Sequence, residues 1–163
     1  MKIIVFALAT VLHLVPRPFG VSPVGALSLY SGAFGSRRFF WALPFIPLTI
    51  AAFLFGFYDP TVMVFVYAGF ALATFAGNRF LSGRRGLADY AAAIGSGAVA
   101  FYLVSNIGNW LAFYPRTPAA LVECYVNGLP FLLQATIADA FFCYVLFGLH
   151  QVLERTRKEP VTA

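Results

Sequence analysis

The sequence predicts an all-α polytopic membrane protein, a six-transmembrane-helix bundle forming one domain over residues 1–163. Three observations carry this. Hydrophobic residues make up 61% of the chain and charged residues 10%, whereas a soluble domain carries about 25% charged residues to keep its surface wet. Apolar stretches between charges recur at close to the ~20 residues that a spanning helix needs. The basic residues fall on alternate connections between those stretches, which sets one orientation. An ordinary cytosolic domain, a disordered chain and a secreted disulfide scaffold are thereby excluded. The formal net charge of +5 is read by position, so membrane lipid is the expected partner and nucleic acid is not.

The expected helices are 3–15, 23–35, 39–57, 61–79, 87–111 and 120–153. The first follows Lys2. Its only small-x-small site, Ala7-Leu8-Ala9, lies inside the apolar run, too early for signal-peptide cleavage. Pro16 and Pro18 stop it near Leu14. The second starts with Ser22 as N-cap and Pro23 at the first helical position and runs to about Gly35. It reaches only ~20 Å. Either it starts below the membrane surface or the loop before it dips into the protein, and irregular backbone at that depth must be buried or line a cavity. Five spans plus a short or re-entrant N-terminal segment is the alternative topology.

Phe39 to Tyr58 makes the third stretch, with Pro44 and Pro47 expected to bend it. Pro60 to Asn78 and Tyr90 to Pro115 make the fourth and fifth. The last runs from Cys124 to Leu153, with Asp139 its one acid. With the N-terminus inside, Lys2, Arg37, Arg38, Arg79, Arg84, Arg85, Arg155, Arg157 and Lys158 all fall on the cytoplasmic side. Only Arg17 and Arg116 fall outside. This places both termini in the cytoplasm. Trp41 and Tyr90 suit the inner interface; Tyr58, Trp110, Tyr114 and Tyr125 suit the outer one.

Small residues at four-residue spacing form three ridges: Ser28/Gly32/Ser36, Gly69/Ala73/Gly77 and Ala92/Ser96/Ala100. They permit close helix approach, within the chain or against a partner. Cys124 and Cys143 on one helix stand roughly 28 Å apart. They are expected as small buried side chains, not as a disulfide.

Segment 105–134 concentrates polar and aromatic groups at the outer ends of the last two helices. Asn106, Asn109, Asn127 and Gln134 offer amides. Trp110, Tyr114 and Tyr125 offer stacking faces, and Arg116 and Glu123 offer charges. Small-molecule sites combine apolar or aromatic walls with a few fixed polar groups. An interfacial loop with an aromatic belt and a surface Arg116–Glu123 pair reads the same way. Asp139, near the middle of the final span, is a functional hypothesis by its depth. It is expected to be protonated or hydrogen-bonded to Asn78, Thr136 or another polar neighbour. His13 lies close to Arg17 and is expected to pack rather than ligate. The chain has no His-x-x-x-His, Cys-x-x-Cys, nucleophile elbow or P-loop. No enzyme activity, metal or cofactor is expected.

Two resemblances follow from these residues. The runs PRPFGVSPVGALSLYSGA (16–33), SNIGNWL (105–111), YPRT (114–117) and CYVNGLPF (124–131) look like a family of small uncharacterised bacterial integral membrane proteins, a domain of unknown function. The architecture is similar to the substrate-binding S components of energy-coupling-factor (ECF) transporters. The latter resemblance implies cytoplasmic termini, a vitamin-like or cofactor-precursor ligand bound near the outer face under a mobile first loop, and an energy-coupling module of a transmembrane subunit and ATPases as partner. Arg17 and its loop would gate that site. Trp110, Tyr114 and Tyr125 would stack on the ligand, and Asn106, Asn109, Arg116, Glu123, Asn127 and Gln134 would line or orient it. Lys2 stands where metal-specific S components carry a His, which argues against a metal substrate. Two other expectations stand beside this one: a structural or assembly protein packing through its Gly/Ala ridges, and a solitary proton-coupled carrier using Asp139.

Overall fold

The computed structural model describes residues 2–15, 21–35, 42–83 and 85–158, the last without the Lys158 side chain. Among these the chain is all-helical: α1 Lys2–Leu14, α2 Val24–Phe34, α3 Phe45–Phe55, α4 Pro60–Leu81, α5 Leu87–Phe113 and α6 Pro118–Lys158. Three of them, α4, α5 and α6, are long and apolar enough to cross a membrane. At 1.5 Å per residue α4 reaches about 33 Å, close to the thickness of a hydrocarbon core, and α6 about 60 Å. α1, α2 and α3 have 13, 11 and 11 residues and reach only about 16–20 Å each. Outward faces are apolar, with Phe53, Val64, Phe75, Phe141 and Tyr144 exposed.

Local chemistry sets the ends. The third helix was expected over 39–57, and its observed range is Phe45–Phe55; residues 39–41 lie outside the described residues. Pro44 is its N-cap, and Pro47 falls in its first turn, where a missing N–H costs nothing. The two prolines therefore start the helix rather than bend it. Gly56, at φ 102°, ends it in a conformation that a side chain would strain. Asp59 then caps α4, accepting from the N–H of Thr61 at 2.8 Å and of Val62 at 3.2 Å. Asp89 accepts from the Gly86 N–H at 2.9 Å at the start of α5. Pro130 lies inside α6, which continues past it.

α2 forms the centre. Every residue from Val24 to Gly32 is buried, and the helix packs against α4, α5, α6 and α1. Backbones meet directly where α2 crosses α4: a Cβ on Gly32 would lie 2.0 Å from the Thr74 carbonyl oxygen, and one on Gly77 2.2 Å from that of Leu29. Two small-residue ridges thus face each other inside the chain; Ser36 of the first lies outside the described residues. In the third ridge Ala92 and Ser96 are exposed. At the C-terminal end of α2, Asn78 Nδ2 donates to the Gly32 carbonyl at 3.1 Å and Lys2 Nζ to that of Phe34. The Arg85 guanidinium sits 3.8 Å over the Phe34 ring. Tyr30 hydroxyl meets His150 Nδ1 at 2.7 Å, and His150 Nε2 lies 3.4 Å from Glu154. Lys2, Phe34, Arg85, His150 and Glu154 therefore share one end of the bundle.

Candidate functional site

A cavity of about 630 Å³ opens between the N-terminal end of α2 and the helices α4, α5 and α6. Helical periodicity builds its walls. On α5, Tyr102, Asn106, Asn109 and Phe113 follow at i, i+4, i+7 and i+11 and so share one face. On α6, Cys124, Gly128, Phe131, Ala135 and Asp139 do the same over four turns. α4 adds Val66, Phe70 and Ala73; Ser22 and Gly25 close the α2 side. The rim near Asn109, Tyr114 and Asn127 is polar, with Asn127 Nδ2 donating to the Tyr114 hydroxyl at 3.3 Å. Aromatic rings fill the middle, where Phe70 and Phe101 pack at 4.5 Å between centroids.

Asp139 is only 8% exposed and lies where α2 begins. Its carboxyl interacts with the Ala26 backbone N–H. A Cβ on Gly25 would stand 2.2 Å from its Oδ1 and 2.4 Å from its Oδ2. The carboxyl therefore rests on the bare Cα of Gly25, and α2 gains a cap from another helix. Its own N-cap is Pro23, which supplies no side-chain hydrogen bond. Ser22 Oγ accepts from Val24 N–H at 3.3 Å and is itself met by His13 Nδ1 at 3.2 Å. The partners expected for Asp139 are engaged elsewhere. Asn78 donates to Gly32, and the Thr136 hydroxyl bonds the Leu132 carbonyl at 2.7 Å.

Of the residues singled out in the sequence, Asn106, Asn109, Tyr114, Asn127 and Asp139 line the cavity. Asn106 also belongs to the α5/α6 seam: its Nδ2 donates to the Tyr102 carbonyl at 2.8 Å, and its Oδ1 would lie 2.6 Å from a Cβ on Gly128. Trp110 and Tyr125 lie outside the lining. Trp110 Nε1 donates to the Pro115 carbonyl at 3.0 Å, and the Tyr125 hydroxyl to that of Leu103 at 2.6 Å. Arg116, Glu123 and Gln134 are exposed and also outside it. Arg116 and Glu123 form no ion pair with each other. Arg17 lies outside the described residues. Sequence reasoning missed Gly25, Phe70, Phe101 and Tyr102. The i, i+4, i+7 series through Tyr102 and the two asparagines was the signal that could have found the α5 wall. Both cysteines are buried and free. No group of three or more His, Cys, Asp or Glu positioned for a metal occurs among the described residues.

The model of a family of unknown function, DUF6580, matches residues 1–161, and the chain belongs to that family. No curated protein and no solved structure matches it.

Proposed function

We propose that this family member is a small-molecule-binding membrane subunit for uptake of a vitamin-like or cofactor-precursor metabolite, resembling an ECF S component and working with an energy-coupling module. The observation that carries the reading is the cavity: about 630 Å³, aromatic in its middle, amide- and hydroxyl-rimmed, reaching an acid at its floor. That size and lining match small-molecule sites generally. Ser22, at the end of the first loop, lines it, as a loop-gated site requires. The reading includes six membrane passes and cytoplasmic termini in a bacterial inner membrane. Its support is the gathering of Lys2, Arg85 and Glu154 at one end of the bundle, since an up-and-down path returns the chain there after each pair of helices. A single cysteine placed at Arg116 should then react with a membrane-impermeant maleimide from outside the cell; protection there together with labelling at Arg155→Cys reverses the orientation.

The site is tested by purifying the protein in native lipid and identifying co-purifying metabolites by mass spectrometry. Leu132→Trp, which fills the cavity from α6, should release the ligand, and Asn109→Ala should weaken it. Unchanged retention in both refutes the cavity as the site. One observation favours a second reading, the solitary proton-coupled carrier: Asp139, a buried acid within a long apolar helix, lines the cavity, and acids at such positions mark proton relays in transporters. In that case Asp139→Asn abolishes uptake in cells lacking any coupling module while binding persists.

A further inference from the structure

We infer that the ligand of this cavity is amphipathic and carries a protonated amine, seated against Asp139 beside Gly25; the inference rests on the cavity being the binding site. Charge decides the class. Among the described residues lining the cavity, Asp139 is the one Asp or Glu, and no Lys or Arg joins it. When a ligand's ammonium holds the Asp139 carboxyl ionised, its full negative charge exceeds the roughly half positive charge that the nearby N-terminus of α2 contributes. An anionic ligand gains little from that helix end, because protein acceptors meet most of its donors. Ser22 Oγ takes the Val24 N–H, Asp139 takes that of Ala26, and the Pro23 carbonyl takes that of Leu27 at 2.8 Å.

The carboxylate has about four acceptor positions, and the Ala26 N–H fills one. Gly25 leaves no side chain between it and the α2 backbone, and Asp139 lines the cavity. An ammonium there offsets the cost of burying an isolated acid. The ligand's apolar body then lies along Phe70 and Phe101, whose faces favour a neighbouring cation. Its polar far end reaches Asn109, Tyr114 and Asn127 at the rim.

The test uses the full chain in lipid nanodiscs and three probes sharing one aromatic body: phenethylamine, phenethyl alcohol and phenylacetate. Binding is read by calorimetry and by the concentration-dependent rise in unfolding temperature. The amine should bind at least about tenfold more tightly than the alcohol, and phenylacetate more weakly than both. Asp139→Asn should bring the amine down to the alcohol's level. Ala135→Lys, which keeps the Asp139 cap and sets an ammonium one turn away, should do the same even if Asp139→Asn fails to fold. Equal or tighter binding of the alcohol or of phenylacetate overturns the inference, as does an amine preference that survives Ala135→Lys. Leu132→Trp separates the two levels of argument. If it removes binding of all probes but the amine has no advantage, the ligand class is wrong and the cavity stands. If it leaves binding unchanged, or no probe binds, the cavity reading falls as well.

Discussion

Gly25→Ala is a one-methyl change whose cost is readable from the packing. The new Cβ would lie 2.2 Å from Asp139 Oδ1, 2.4 Å from Oδ2 and 2.6 Å from Cγ, so the whole carboxyl group must withdraw by roughly 1 Å or more to reach ordinary contact. Overpacking of a fixed site costs about 1–3 kcal/mol. Loss of the carboxyl's interaction with the Ala26 N–H adds about 1.5–3 kcal/mol. The better helix propensity of alanine returns about 1 kcal/mol. The net expectation is a destabilisation of about 2–5 kcal/mol, measured by reversible unfolding in mixed micelles. Gly95→Ala is the control: nothing lies within 4 Å of its Cβ position, so propensity alone acts and stability should hold or rise. The decisive step is the pair Gly25→Ala and Asp139→Ala. Once the carboxyl is gone the methyl has room, so the double variant should be no less stable than Asp139→Ala alone, a coupling of at least about 1 kcal/mol. Single effects that add within about 0.5 kcal/mol, or a neutral Gly25→Ala, would refute the contact.

Two further expectations concern the rest of α2. Gly32→Ala drives a methyl to 2.0 Å from the backbone oxygen of Thr74, which cannot rotate away as a side chain can, so it should destabilise by about 3 kcal/mol or more; Gly148→Ala, whose Cβ meets nothing within 4 Å, should be neutral, and similar unfolding midpoints for the two would sink this reading. Tyr30→Phe removes the hydroxyl that meets His150 Nδ1 at 2.7 Å and leaves a buried ring nitrogen without its partner, costing about 1–3 kcal/mol. The loss should vanish in a His150→Phe background, and a full loss there would show that the pair is not coupled.

Composition and hydropathy made the all-helical class and the three helices long and apolar enough to cross a membrane legible, because lipid demands helices of known length and an apolar exterior. The small-residue ridges of α2 and α4 were legible for the same reason, since only glycine and its small relatives allow the crossing at Gly32 and Gly77. Helix 39–57 was not, because counting residues between charges ignores where Pro44 and Gly56 force the backbone. The polar rim was half legible. Asn109, Asn127 and Tyr114 project from the expected segment into one space, but Trp110 and Tyr125 turn to backbone carbonyls of their own neighbourhood, a choice of rotamer that residue type does not reveal. The Asp139–Gly25 contact was illegible in principle. It joins residues far apart in the chain, through a glycine whose role is to be empty.

The polar residues of this apolar chain become intelligible once α2 is seen as a helix of 11 residues enclosed by protein. A helix leaves orphan N–H groups at its start and orphan carbonyls at its end. Enclosed by protein, these groups find no water as partner, and each unmet group costs several kcal/mol. The chain supplies them from elsewhere. Asp139 of α6 and Ser22 serve the N-terminal end; Asn78 of α4 and Lys2 of α1 serve the carbonyls of Gly32 and Phe34. Side chains from three other helices are thus committed to one short helix, so α2 holds its position only while all of them hold theirs. Asp139 differs from the others in facing two ways. It caps α2, and it lines the cavity. Any group that draws on its remaining acceptors acts on the same carboxylate that fixes the start of α2, and so contacts in the cavity are tied to the placement of the central helix by a single side chain.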